Sequence, residues 1–425
     1  MRKTYIFALL ALVAAVAPAQ DFDKWFCDST LRLCYTFAGD AQHQSIYIDE
    51  LRQSPHWYGR RNHLDELPLA GNGDIVVKDK ASGKVIYKHS FSSLFQEWVA
   101  TEEAKTTPRS FENVYLIPKP KNDAEVTVTL RDSRQNEAAK LTHIVRHDDI
   151  LIARDGEKNV TPYITLHPAK DSLHCINVAI MAEGYTMSDM GKFLKDCNDA
   201  IDALMAHEPF KSRSDCFNVV AVLNQSHDSG VSIPHNNDWR NTSLGSHFDT
   251  FYITRYLTTL HLKQMHNTLA GVPYEHIIVL ANTDTYGGGG IYNSYTLSYT
   301  GSKFFKPVVV HEFGHSFGGL GDEYNYGTEV YFYPDIEPWE QNITTLKDFD
   351  SKWKDMLPAD VKIPTKPIED PATSTTRLGV FEGAGYMEKG VFRPTEDCRM
   401  RSNRVPEFCP VCQRAITRVI DFYCK

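Results

Sequence analysis

A chain of 425 residues, 42% of them hydrophobic, has the length for two or three domains and the material for a buried core. Its 54 acidic residues outnumber 45 basic ones, giving a formal charge of −9 with no basic run anywhere. That balance argues against nucleic acid as a partner.

The first segment reads as a sorting signal rather than as part of the fold. Arg2 and Lys3 precede the apolar run YIFALLALVAAVA, and Ala17-Pro18-Ala19 resembles a small-residue cleavage site. Residues 1–19 are therefore expected to be a secretory signal peptide, and the mature protein to be periplasmic or extracellular. No later stretch approaches the ~20 apolar residues of a transmembrane helix. All nine cysteines follow the signal: Cys27, Cys34, Cys175, Cys197, Cys216, Cys398, Cys409, Cys412 and Cys424. In an oxidising compartment most are expected to pair, and the odd count leaves at least one over. Cys27–Cys34 and pairs within the C-terminal group are candidates, but the spacing alone does not give the connectivity.

Between about residues 28 and 155 the texture is that of strands. LRLCYTF, QSIYID, DIVVKD, KVIYKHSF, NVYLIP and EVTVTLRD are short runs rich in Val, Ile, Tyr and Thr. Turn formers separate them, which predicts an all-β sandwich domain over residues 20–158. From 159 to 425 strands and helices alternate, predicting an α/β domain. CINVAIMAEGY, CFNVVAVLNQS and HIIVLAN read as strands; SDMGKFLKDCNDAIDALMAH and residues 248–269 read as helices.

VVVHEFGHSFGGLGDEY, residues 308–324, carries the clearest chemistry. Pro307 suits a first helical turn, and Gly318-Gly319 suits a helix end. On such a helix His311 and His315 project in nearly the same direction, one turn apart, so that both imidazoles reach one zinc ion. Glu312 lies beside them, placed as a general base toward water. Upstream, TYGGGGIYNSYTLSYT suggests either an exposed edge strand able to hold an extended peptide by main-chain hydrogen bonds, or a plain surface hairpin.

HEFGHSFGGLGDEY, together with GVFRPTEDCRMRSN and EFCPVCQRAI, resembles the IgA-peptidase family of zinc metalloendopeptidases, which looks like an offshoot of the metzincins. The resemblance implies a metzincin-like catalytic domain, zinc as cofactor, and hydrolysis of peptide bonds in protein or glycoprotein substrates. It does not imply that IgA is the substrate. Metzincins carry HExxHxxGxxH and a methionine turn beneath the metal. His311, Glu312, His315 and Gly318 match, and Met400 is placed to be the turn methionine. The third histidine is missing, because its position is Gly321. Asp322, one residue on, is the favoured third ligand, with its carboxylate brought close by the glycines. Glu323 is the rival. A more distant acid, Glu337 or Glu340, would make a gluzincin-like arrangement.

Three other features weigh less. Cys409-Pro-Val-Cys412 could be a redox pair or half a zinc ribbon; a structural disulfide involving Cys398 is the favoured reading. The stretch with His227, Asp228, His235 and Asp238 could bind a second ion such as calcium, but has no recognised loop spacing and reads better as a solvated rim of the active site. Tyr324 and Tyr386 are candidate oxyanion stabilisers. The sequence thus points to an exported zinc endopeptidase. The competing reading is a protein- or glycan-binding module with a structural or vestigial metal site, against which the intact Glu312 argues.

Overall fold

The computed structural model describes residues 22–326, 335–368, 370 and 372–425. Residues 1–19, expected to be a signal peptide, lie outside them. Among the described residues, no helix is long and apolar enough to cross a membrane.

The N-terminal part is built from α1 (Phe22–Trp25), β1 (Phe26–Gly39), β2 (Gln44–Pro55), β3 (Gly73–Asp79), β4 (Val85–Phe91), α2 (Leu94–Trp98), β5 (Arg109–Pro120), β6 (Ala124–Arg131), β7 (Glu137–Val145) and β8 (Ala153–Arg154). They form two four-stranded sheets, ordered β5-β1-β2-β8 and β4-β3-β6-β7. Alternation along the strands sends one row of side chains inward, as in β3, where Ile75 and Val77 are buried while Val76 and Lys78 are not. The sheets meet through aromatic rings: Phe91 of β4 lies 4.2 Å from Tyr115 of β5 and 6.0 Å from Phe37 of β1. All six strands expected here are present. β7 escaped because its alternation is weak: Ala139, Leu141 and His143 are half-buried, Ile144 is exposed, and Val145 alone is buried.

Cys27 and Cys34 both lie on β1, which rules out the pairing suggested by their closeness in sequence. Seven residues of strand separate their Cα atoms by roughly 23 Å, far beyond disulfide reach.

The second part contains β9 (Tyr163–His167), β10 (Ile176–Glu183), α3 (Met190–Met205), β11 (Phe217–Val222), α4 (Leu262–Thr268), β12 (His276–Ala281), β13 (Gly288–Ile291), β14 (Tyr295–Tyr299), α5 (Phe305–Ser316), β15 (Phe381–Ala384), β16 (Met387–Arg393) and α6 (Pro410–Cys424). Six strands form a sheet ordered β13-β14-β12-β10-β11-β9. The inner four are parallel, and the two edge strands, β13 and β9, run antiparallel to their neighbours. β10 is buried on both faces, as a central parallel strand must be. Val178, Ile180 and Ala182 share a core with α3, α5 and α6, while Ala179 and Met181 belong to the core on the opposite face. That second core is continuous with the interior of the N-terminal sheets. Polar ties reinforce the junction, including Arg32 to Asn267 (2.6 Å) and Lys263 N–H to Glu112 (2.9 Å).

One expected helix is largely absent. Of residues 248–269, only α4 is α-helical. Asp249, Phe251 and Tyr252 have positive φ, and His247 and Thr258 exchange backbone hydrogen bonds at 3.0 and 3.2 Å. The threonines decide it: Thr258 bonds Thr250 at 2.6 Å and Thr259 bonds the Leu244 carbonyl at 2.6 Å, buried contacts that a helix would not allow.

Candidate metal centre

α5 carries Pro307 in its first turn and ends where Gly319 takes φ +58°. Val309, Val310 and Phe313 anchor it in the core, so the opposite side of the helix faces a cleft of about 740 Å³. His311, Glu312 and His315 open onto that cleft, with Asp322, Tyr324, Tyr386, Arg255 and the glycines of β13.

The two imidazoles are held by backbone carbonyls. His311 Nδ1 lies 3.0 Å from the Arg399 oxygen, and His315 Nδ1 lies 2.6 Å from the Leu320 oxygen. A carbonyl can only accept, so each Nδ1 carries a proton, and in the neutral ring Nε2 is the atom with the lone pair. The two Nε2 atoms are 3.0 Å apart. Asp322 Oδ1 completes a triangle with them, 3.1 Å from His311 Nε2 and 3.3 Å from His315 Nε2. It is buried without a hydrogen-bond partner, an orphaned acceptor aimed between the two Nε2 atoms. A tetrahedral zinc with bonds of about 2.0–2.1 Å spans ligand atoms roughly 3.3 Å apart, close to the size of this triangle.

Asp322 is fixed from behind. Asn342 clamps Gly321 through both backbone groups, each at 2.8 Å. Tyr386 donates its hydroxyl to Asp322 Oδ2 at 2.6 Å, and the Gly385 N–H meets the Asp322 carbonyl at 2.8 Å. Tyr324 lies 3.1 Å from the Tyr386 hydroxyl, so the two tyrosines form a chain ending on the carboxylate. Burial opposes ionisation of Asp322, but the two imidazoles outweigh it and hold the carboxyl well below the usual range. Burial works against the positive form of His315 too, yet Asp322 and Glu312 raise it to about 9. Glu312 moves the other way: burial raises its carboxyl against the pull of both imidazoles.

The segment around Met400 sits under the helix. Arg401 N–H and Ser402 N–H both reach the Cys398 carbonyl, at 2.9 and 3.0 Å, closing a tight turn around Met400. Met400 is fully buried, and a Cβ placed on Gly314 would lie 2.8 Å from its sulfur. The same turn presents the Arg399 carbonyl to His311.

β13 crosses close above α5. A Cβ on Gly288 would lie 2.9 Å from a Glu312 carboxylate oxygen, and one on Gly290 would lie 2.3 Å from the Glu312 carbonyl. That proximity is why the strand is made of glycine. β13 is the outermost strand of its sheet and lines the cleft, and its outer edge carries one isolated bridge, from Tyr256 to Gly288.

The remaining expectations divide. Glu323 turns away from the imidazoles, toward Asn342 (2.9 Å) and Cys412 (3.1 Å). Glu337 is occupied by Thr345 and the N–H groups of Lys347 and Asp348. Glu340 lines the cleft, its carboxyl pushed by burial to about 7. His227, Asp228, His235 and Asp238 do not gather around a common point, nor do they line the cleft; His227 pairs with Asp228 and His235 with Asp249. Asn342 and the cleft-lining Glu97 of α2 went unnoticed in the sequence, and no local spacing marks either of them.

Residues 164–372 and 366–420 match the family described as IgA Peptidase M64, and residues 21–142 match the one described as Peptidase M64 N-terminus. By these matches the protein is a peptidase. It belongs to the IgA peptidase M64 family. No curated protein matches the chain.

Proposed function

We propose that this protein is an exported zinc endopeptidase acting on protein or glycoprotein substrates. Residues 1–19 would be its signal peptide, 20–158 a β-sandwich domain, and 159–425 a metzincin-like catalytic domain. The domain division is supported by residues 143–163, which neither family match covers. The observation that carries the reading is the triangle of His311 Nε2, His315 Nε2 and the orphaned Asp322 Oδ1. Those three atoms would hold zinc, leaving a position open toward the cleft, as catalytic sites do.

Zinc bound there supplies Lewis acidity toward a peptide carbonyl and a water molecule. Glu312 accepts the proton of the attacking water at its carboxylate and returns it to the leaving amine. Tyr386, already bonded to Asp322, serves to orient that carboxylate, and Tyr324 supports it. Gln96, Glu97 and Arg131 bring the sandwich to the cleft wall, where it takes part in choosing the substrate.

The test compares Glu312→Ala with the unaltered protein in zinc content and in cleavage of a broad peptide library. Zinc should stay near one equivalent at the histidine site while hydrolysis falls by ~10²–10⁴-fold. Near-normal turnover in the variant rejects the mechanism.

A further inference from the structure

Behind the candidate metal centre lies a second cluster. Cys398, Cys409, Cys412 and Glu323 are each 0% exposed, and one ligand atom from each lies within 4.8 Å of all the others. We propose that these four side chains form a closed structural zinc site, distinct from the histidine centre. This proposal does not depend on the catalytic reading.

The sulfur separation fits an ion better than a bond. Cys398 Sγ and Cys412 Sγ are 3.8 Å apart. Two thiolates on one tetrahedral zinc, each bonded at about 2.3 Å, stand roughly 3.8 Å from each other. A disulfide would join two of the three sulfurs and leave the third thiol and a buried carboxylate without a function.

The helix end favours a thiolate at Cys409. Cys409 is the N-cap of α6, followed by Pro410 at its first position and Cys412 two residues after that, still in the first turn. The positive end of the helix stabilises negative sulfur there. The Cys409 N–H points at Cys398 Sγ from 3.2 Å, a contact that a metal-bound thiolate commonly accepts.

Glu323 supplies the second, independent observation. One carboxylate oxygen takes a hydrogen bond from Asn342 at 2.9 Å and from Cys412 at 3.1 Å. The other is buried with no hydrogen-bond partner. A fully enclosed carboxylate with an orphaned oxygen is costly, and a cation among the three sulfurs removes that cost. Three soft sulfurs and one oxygen select zinc over calcium or magnesium, and four protein ligands leave no position for substrate. As the ion binds, the thiol protons leave to bulk water.

Such an ion would fasten three pieces of the neighbouring centre. Glu323 follows Asp322 directly, and its N–H bonds the Met400 carbonyl at 2.9 Å. Cys398 opens the turn that presents Arg399 to His311. α6 carries Cys412. The zinc would thus hold the Asp322 loop, the methionine turn and the last helix in one place.

Metal analysis of the purified full-length protein tests this, with His311→Ala isolating the second site. Two zinc per chain are expected in the unaltered protein and one in His311→Ala. Cobalt loaded into His311→Ala should give the thiolate-to-metal charge-transfer bands of a tetrahedral sulfur site. Adding Cys412→Ser to that variant should abolish the bands. Where the double variant does not fold, the cobalt spectrum of His311→Ala and a non-reducing peptide map of the unaltered protein still decide. A mapped disulfide among Cys398, Cys409 and Cys412 overturns the proposal, as does His311→Ala without zinc or cobalt without thiolate bands.

Discussion

Asp322 and Glu323 are consecutive in the chain, yet their carboxylates enter two separate clusters. Asp322 Oδ1 stands 3.1 Å from His311 Nε2, while Glu323 Oε1 stands 3.1 Å from Cys412 Sγ. The two acids should therefore fail differently when removed. Asp322→Ala should weaken the histidine-site zinc steeply, by more than the ~10–100-fold typical of losing an outer partner. Glu323→Ala should spare that zinc far more. Chelator titration followed by residual peptide cleavage measures both, and the opposite order would reassign the ligand.

The Tyr386 hydroxyl holds the far oxygen of Asp322 at 2.6 Å. Tyr386→Phe removes the donor and keeps the ring. Zinc affinity should drop by ~10–100-fold while the fold survives. An unchanged chelator titration would mean that Asp322 needs no such orientation.

The central strands of the sheet and the helix α5 were legible because their signals are local. Four buried residues in a row mark a parallel strand, and HExxH at helical spacing marks α5. The sequence favoured Asp322 over Glu323 without deciding between them, since the direction of the Asp322 side chain depends on Asn342 and Tyr386, 20 and 64 residues further on. Residues 248–269 misled because their apolar spacing imitates a helix while their threonines bond elsewhere in the fold. Spacing alone says nothing about Glu323, which reaches Cys398, Cys409 and Cys412 from a distant loop.

The glycines of β13 offer a stability test. Gly290→Ala would push a Cβ to within 2.3 Å of the Glu312 carbonyl, a backbone atom that cannot swing aside. The variant should lose ~1–3 kcal/mol of stability, as overpacked sites do, and hydrolysis should fall as α5 shifts. Gly191, in α3, has nothing within 4 Å of the position its Cβ would take. Gly191→Ala should be neutral or stabilising by roughly 0.5–1 kcal/mol. Thermal denaturation of the pair checks the contrast, and equal midpoints would contradict it.

Met400 acts through packing against Gly314 rather than by touching the ion. Met400→Leu is close to volume-conserving and should cost less than about 1.5 kcal/mol. Both His311 and His315 should keep their zinc. Loss of the metal in this variant would place the methionine nearer the ion than the fold suggests.

Glu275 gives a pH dependence away from the metal. Its Oε2 is buried without a hydrogen-bond partner, and burial, only partly offset by Arg60, raises its carboxyl from an ordinary 4.5 to about 8. The folded protein therefore holds this proton more tightly than the unfolded chain does. Below pH 4.5 both states are protonated and the contribution is complete. Between 4.5 and 8 the unfolded chain has released its proton while the folded one has not, so stability declines as pH rises. Above 8 both are ionised and the decline stops. The slope for one proton is at most about 1.4 kcal/mol per pH unit. Glu275→Gln keeps the shape and removes the proton. Urea midpoints between pH 5.5 and 9 should fall less steeply in the variant, which should be the more stable form at pH 9. Parallel curves for the two proteins would show that Glu275 already ionises in the ordinary range inside the fold.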